Sequence, residues 1–296
     1  MEKEVQMNTP TLKEAFADYV NSTYKNCSPK SIIEKFKEAT GHPFTEKNMT
    51  DYNLTKFAKW LSENRSPGTA RTYSAILKAF LNISDFEFPS KKYRKILSLD
   101  RDEPETAYLD EDDIRKFLSY KPRTDSEYYT QRLFFICLMT GCRKSDGMLI
   151  TANRVRNNKF TYVAKKTGKK SSEMYIPDSV LDVLNDKRYK ELQKRGFHET
   201  TYNEAVRSIC KNVGITDEVT LYKCGEYVTK PKYAFFASHS ARRSAATNMY
   251  NRDAASLLNI SKMLGHTSIA QTQRYIRCSE GDTEAMMDFK TSFKLE

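Results

Sequence analysis

The chain has 296 residues, with 49 Lys and Arg against 38 Asp and Glu, a formal net charge of +11. Its length accommodates two domains. Hydrophobic residues make up 39% and aromatics 12%, which excludes a disordered basic tail. The longest apolar run, Leu133 to Met139, falls far short of the ~20 residues of a membrane helix. The opening MEKEVQMNTP is charged and polar, unlike a secretory signal. These features describe a soluble, basic protein with a core. The cysteines at 27, 137, 142, 210, 224 and 278 show no CxxC spacing, so neither a zinc site nor a disulfide framework is expected, and the expected compartment is the reducing cytoplasm.

In chain order, the first hundred residues read as helices. Leu12, Phe16, Tyr19 and Val20 share one helical face. Pro29 opens a second helix carrying Ile32, Ile33 and Phe36, and Leu54, Phe57, Ala58 and Leu61 mark a third beside Trp60. The segment SPGTARTYSAILKAFLNIS places Ala75, Ile76, Ala79, Phe80 and Ile83 inward and Arg71, Thr72 and Lys78 outward, and the basic cluster Lys91, Lys92, Arg94 and Lys95 follows. Residues 1–100 thus read as a helical bundle with one basic face. Residues 101–109, with acids and Pro104, read as a linker to a second domain at 110–296.

Eight carboxylates fall between Asp100 and Asp113 against Arg101 alone, which leaves 48 basic against 30 acidic residues elsewhere, an excess of +18. A field of that size points to a polyanion, nucleic acid ahead of an acidic membrane face. Asp110 caps the next helix, with Glu111 to Asp113 in its first turn. An apolar helix from Ser126 to Thr140 ends at Gly141. The period then changes: Phe160, Tyr162 and Ala164 alternate with Thr161, Val163 and Lys165, and a glycine turn precedes Met174 to Ile176, a β-hairpin with a basic tip. From Pro177 onward helices are expected at 180–184, 203–213, 241–249, 256–264 and 269–276. The expected fold is mainly α with a small β-sheet (α+β).

Four features of the second part belong together: TGCRKSD at 140–146, the hairpin lysines, HSARR at 239–243 and LGHTSIAQTQRY at 264–275. Phosphoryl transfer without a metal needs fixed cations on the non-bridging oxygens, and Arg143 and Arg242, planar and permanently charged, are suited to that. A lysine of lowered pKa can protonate a leaving alkoxide. Tyr275 can act as nucleophile if His239 or His266, or a strong cationic field, helps remove its proton.

The order and spacing of this set resemble the tyrosine recombinase (phage integrase) family over residues 10 to 280, nearly the whole chain. The resemblance implies a helical, SAM-like core DNA-binding domain at 1–100 and a catalytic domain at 110–296. It implies that Arg143 and Arg242 clamp the scissile phosphate and that Lys166, before Thr167-Gly168, is the general acid, with Lys165, Lys169 and Lys170 as alternatives in a shifted register. His239 would manage the nucleophile's proton and His266 would bond a phosphate oxygen. Tyr275 would form a 3′-phosphotyrosine that a 5′-hydroxyl resolves, with no metal, ATP or other cofactor. Asp146 would orient the catalytic side chains, or form an ion pair. Arg71, Thr72, Lys78, Lys91, Lys92, Lys165, Lys169, Lys170 and Arg243 would contact DNA. The expected partners are duplex DNA with inverted half-sites and further copies of the chain, in a tetramer on paired sites, with no membrane.

The sequence departs from the family pattern at Cys142 and Gly147, where leucine and an aliphatic residue are usual, and at Ser244 and Ala245. The first ten residues are expected to be too few for an additional arm-binding domain. In the tail, Ala285, Met286, Met287 and Phe289 form an apolar stripe for a neighbouring protomer, or for the chain's own domain. Two other readings compete with a recombinase that integrates, excises or inverts DNA: a type IB topoisomerase-like relaxing enzyme, and a catalytically silent DNA-binding regulator.

Overall fold

The structure, a computed structural model, describes residues 10–24, 27–99, 105–163, 173–223, 226–252, 255–266 and 268–276. The chain divides into two compact units, one of Met1–Pro104 and Tyr222–Glu226, the other of Glu105–Leu221 and Tyr227–Glu296.

The first unit contains α1 (Leu12–Thr23), α2 (Pro29–Thr40), α3 (Asp51–Asn64), α4 (Pro67–Ile83) and the single turn α5 (Tyr93–Ile96). Three of these starts are capped by local side chains. Thr11 and Glu14 make a capping box at α1, Thr50 caps α3, and Ser66 caps α4 just before Pro67. Phe16, Phe36, Phe44, Phe57 and Phe80 form the aromatic centre, with Phe44 bridging Phe16 at 5.1 Å and Phe36 at 5.4 Å.

The inward face of α4 is rotated from the one expected. Ala70, Ser74, Ile76, Leu77, Phe80 and Leu81 are buried, whereas Ala75 is exposed and Ile83 is 65% exposed. A polar residue holds an inward position because Ser74 Oγ donates to the Leu97 carbonyl at 2.8 Å, and that satisfied serine shifts the seam toward Leu77 and Leu81.

The second unit is built on α6 (Glu111–Ser119), α7 (Asp125–Thr140), α8 (Lys144–Gly147), α9 (Asp178–Asn185), α10 (Lys187–Arg195), α11 (Glu199–Asn212), α12 (Ser240–Asn251), α13 (Leu257–Leu264) and α14 (Ile269–Tyr275). Strands β1 (Lys159–Phe160) and β2 (Met174–Tyr175) pair antiparallel, Lys159 opposite Tyr175 and Phe160 opposite Met174. Phe160 and Tyr162 point inward and Thr161 and Val163 outward, the expected alternation. Helix α7 is buried on most of its circumference and packs against α9, α10, α11 and α12, so it is the axis of this unit. Within the span read as a linker, Ala107 and Leu109 are buried in this unit's core. Ser244 Oγ accepts from the Leu109 amide at 2.8 Å and Asn248 Nδ2 donates to its carbonyl at 2.8 Å, so Ser244 ties the entry segment to α12.

Helices alone were expected after Pro177, but β3 (Glu218–Lys223) and β4 (Glu226–Pro231) form a second two-stranded sheet. Interleaved charges hide its alternation, although Thr220 and Thr229 pair across it with hydroxyls 2.8 Å apart. The unexpected helix α10 is hidden in the same way: KRYKELQKR buries only Tyr189 and Leu192, and the Asp186 carboxylate caps it through the Tyr189 amide at 2.6 Å.

The departures at Cys142 and Gly147 compensate each other. A β-carbon on Gly147 would lie 2.8 Å from Cys137 Sγ and 3.2 Å from Cys142 Sγ. The two buried thiols thus fill the volume that an aliphatic residue at 147 would otherwise take.

Candidate active site

Four helix ends deliver the candidate residues. Helix α7 stops at Gly141, whose φ of 64° makes a left-handed cap, and the chain turns there into Arg143, the N-cap of α8. Helix α13 stops at Gly265, φ 62°, and releases His266. Helix α14 ends on Tyr275, and α12 contributes Arg242 and Arg243 from its first turn.

Arg242 is the centre of this arrangement and is 2% exposed. Burying a cation demands compensation, which comes from the chain ends themselves. Nη1 donates to the Gly141 carbonyl at 2.8 Å and Nη2 to the Leu264 carbonyl. The guanidinium therefore joins the C-terminal ends of α7 and α13, where unpaired carbonyls and the negative end of each helix dipole favour positive charge. Burial, followed by the effect of neighbouring Arg143, still lowers its pKa from the ordinary arginine value.

His266 lies 3.4 Å from Arg242 Nη2 through Nε2 and 3.0 Å from Thr272 Oγ1 through Nδ1. A guanidinium can only donate, so Nε2 accepts and Nδ1 carries the proton toward Thr272. Burial, then Arg242 and Arg143, push the His266 pKa down to about 4 from an ordinary 6.5. The folded state thus binds fewer protons than the unfolded chain between those values. The stabilising contribution is fully present above pH ~6.5 and is lost as pH falls toward ~4. Between pH 7 and pH 4.5, denaturant melts should show the wild type losing about 1–2 kcal/mol more stability than His266→Gln, after allowance for solvent screening. Equal losses would remove His266 as the cause.

Tyr275 packs its ring edge-on to His266, with centroids 5.5 Å apart, and beneath Arg243, whose guanidinium carbon is 4.9 Å from the ring centre. Arg242 is 5.8 Å from the same ring. The Tyr275 hydroxyl is buried and has no hydrogen-bond partner among the described residues. Arg143 Nη1 lies 3.7 Å from Oδ2 of Asp146, which is fully buried, an ion pair that fixes the direction of the guanidinium. Tyr162 belongs to the same electrostatic surroundings: burial, then Asp146, pushes its phenol well above the ordinary range.

The structure therefore brings together Arg143, Asp146, Arg242, Arg243, His266 and Tyr275. His239 is the exposed N-cap residue of α12, while Arg242 points into the interior one turn later. Lys165, Lys166, Lys169 and Lys170 lie outside the described residues, as does the tail stripe at 285–289. In the first unit, Arg71, Thr72, Lys91 and Lys92 are exposed, and Lys78 Nζ donates to Ser98 Oγ at 2.9 Å. Sequence reasoning missed Thr272, which holds the His266 ring, and Lys144, a buried lysine next to Arg143. An ordinary threonine in a helix and a lysine in a basic stretch gave no signal of either role.

Gly141 carries the densest demands in the site. A β-carbon there would meet Met263 Cε at 2.8 Å, on a backbone that disfavours any L side chain. Gly141→Ala is expected to destabilise the protein by about 1–2 kcal/mol. It should also displace Arg143, because the carbonyl held by Arg242 and the turn into Arg143 move together. Thermal melts check the first effect and a crystal structure of the variant checks the second.

Residues 107–281 match the model of the Phage integrase family, and the chain belongs to that family. It is 24% identical over 249 residues to the integrase of Escherichia phage P2, covering 82% of this chain and 65% of that protein. It is also 24% identical over 271 residues to the integrase of Haemophilus phage HP1, covering 88% and 72%. The chain thus spans a little under two thirds of the length of the P2 integrase. Among solved structures, the Tn1549 transposon integrase in complex with transposon right end DNA superposes with a TM-score of 0.65 at 13% identity, over 96% of this chain and 100% of that one. The XerH site-specific recombinase bound to a palindromic difH substrate gives 0.61 at 17% identity, over 86% and 75%. These two likenesses establish the fold. No described helix is long and apolar enough to cross a membrane.

Proposed function

We propose that this chain is a site-specific DNA recombinase, which cuts and rejoins duplex DNA through a 3′-phosphotyrosine on Tyr275. The observation that carries the reading is a buried tyrosine hydroxyl with no partner among the described residues, set against two arginines and a neutral histidine. The relatives' names, integrase and site-specific recombinase, support the same activity.

In this mechanism Arg143 and Arg242 bond the non-bridging oxygens of the scissile phosphate, where charge accumulates as the tyrosine attacks. Tyrosine has an ordinary pKa near ~10, so its proton must be withdrawn as it attacks, and Arg242 and Arg243 stand at 5.8 Å and 4.9 Å from the ring that carries the developing charge. His239 takes that proton, and His266 completes the set of groups around the phosphate. Lys166 protonates the departing 5′-hydroxyl, with Lys165, Lys169 or Lys170 in its place should the loop register differ. A partner strand's 5′-hydroxyl then attacks the phosphotyrosine and releases Tyr275, so the energy of the broken bond is kept in the covalent intermediate. The exposed Arg71, Thr72, Lys91 and Lys92, with Lys78, bind DNA backbone at the first unit. Paired inverted half-sites and a tetramer of the chain complete the reaction, in the cytoplasm.

Trapping on nicked half-site DNA tests the reading. A covalent protein–DNA complex should survive denaturation, and peptide mapping should find the nucleotide on Tyr275. A nucleotide on another residue, Tyr250 being the next choice, moves the nucleophile. Efficient relaxation of a supercoiled plasmid carrying no recombination site favours a topoisomerase instead.

A further inference from the structure

We propose that Ser238 and Glu199 are positioning residues that hold His239 in the tautomer with the proton on Nδ1, leaving the basic lone pair on Nε2. The role assigned to His239 as acceptor of the Tyr275 proton rests on the function proposed above, whereas the tautomer itself does not.

The geometry begins at Glu199, the first residue of α11. Its Oε1 receives the Ser238 hydroxyl at 2.9 Å, and Ser238 is buried. A carboxylate only accepts, so the single proton of that hydroxyl is committed to Glu199. Ser238 Oγ also lies 3.4 Å from His239 Nδ1. With its proton directed elsewhere, the oxygen presents lone pairs to the ring, and the contact is favourable only when Nδ1 bears the hydrogen. A neutral imidazole has one N–H, so Nε2 is then the unprotonated nitrogen. Contacts of this length are common at catalytic groups before substrate binds and shorten when it does.

Glu199 has a cation on its far side. Lys144 Nζ is 3.7 Å from its Oε2 and 4.8 Å from the centre of the Tyr202 ring, and the lysine side chain is only 10% exposed. The first turn of α11 also favours negative charge. Lys144 follows Arg143 directly, so the sequence Lys144, Glu199, Ser238, His239 links the turn that carries Arg143 to the one that opens α12. A base oriented by a third group is a general arrangement for activating a nucleophile. Here the orienting carboxylate acts through a serine.

The chain has only four histidines, which makes the tautomer directly readable. Long-range proton–nitrogen spectra of 15N-labelled protein, with His239 assigned by its loss in His239→Gln, should show hydrogen on Nδ1 at neutral pH. Glu199→Gln reverses the relay: the new amide donates to Ser238 Oγ, whose own proton turns to Nδ1, and His239 should switch to the Nε2–H form. Ser238→Ala should release the lock, and Ser238→Thr should restore it. Single-turnover cleavage of a nicked half-site should fall roughly 10- to 100-fold in Glu199→Gln and Ser238→Ala and return in Ser238→Thr. An Nε2–H form in the wild type overturns the proposal. So does an Nδ1–H form that persists in both Glu199→Gln and Ser238→Ala, or a switched tautomer with unchanged cleavage. A wild-type protein that keeps the tautomer yet forms no adduct at Tyr275 overturns the functional reading instead.

Discussion

Tyr275→Phe should fold as stably as the wild type, bind half-site DNA with undiminished affinity and form no covalent complex at all. The three expectations have separate physical grounds. A buried hydroxyl with no partner among the described residues contributes nothing there that its removal would forfeit, and removing it leaves none of their donors or acceptors orphaned. Phenylalanine retains the ring that lies against His266 and beneath Arg243, so the packing between α12, α13 and α14 persists. The change in melting free energy should stay within about 0.5 kcal/mol. DNA affinity comes mainly from lysine and arginine at phosphates, and the substitution touches none of them. The covalent step, by contrast, has lost its nucleophile. Denaturing gels, melts and a binding titration on one preparation give all three results. A large loss of stability would mean that the hydroxyl has a partner in solution, and a persistent adduct would remove Tyr275 as nucleophile.

Much of this was legible in the chain because the information is local. The cap at Asp110 acts within one turn of its own residue, so the helix start it marks was read in advance, and Thr11, Thr50 and Ser66 mark starts by the same local chemistry. The glycines that end α7 and α13 were readable for the same reason. What escaped was set by distant partners. The inward face of α4 depends on Ser74 reaching the Leu97 carbonyl, and nothing near Ser74 announces that bond. Gly147 looked like a departure until two thiols from α7 and its cap were found in the space a side chain would occupy. The sheet of β3 and β4 was hidden because its exposed positions carry charges where hydrophobic alternation would have marked a strand. In the site, spacing gave Arg143, Arg242, His266 and Tyr275 as a set, but not how a buried guanidinium is tolerated. That answer lies in the carbonyls of Gly141 and Leu264, backbone groups with no signature in residue type. Lys144, Glu199 and Ser238 escaped likewise, since 55 residues separate Lys144 from Glu199 and 39 separate Glu199 from Ser238.

Arg242→Ala should be the most damaging single change, in both stability and chemistry. The guanidinium satisfies the carbonyls of Gly141 and Leu264, and its loss leaves two buried acceptors without donors. At about 1–3 kcal/mol for each orphaned group, a loss of about 3–5 kcal/mol is expected, a large share of the stability of a typical domain. The same side chain is proposed to neutralise the transferring phosphate, and removal of one such preorganised donor slows catalysis by about 10²–10³-fold. A destabilised protein and an inactive site are hard to separate with alanine alone, so Arg242→Lys is the informative variant. Its ammonium keeps the charge, but it lacks the fixed planar fork that reaches two carbonyls on diverging directions and still faces a phosphate. Arg242→Lys should therefore recover a substantial part of the lost stability while cleavage stays near the alanine level. Loss of the guanidinium also weakens the field on His266, whose pKa should rise from about 4 toward its ordinary value in Arg242→Ala and remain depressed in Arg242→Lys. Urea melts, single-turnover cleavage and the titration of the His266 ring resonances measure the three effects independently. A lysine variant that cleaves at the wild-type rate would show that charge alone is sufficient and that the two-carbonyl clamp serves only the fold.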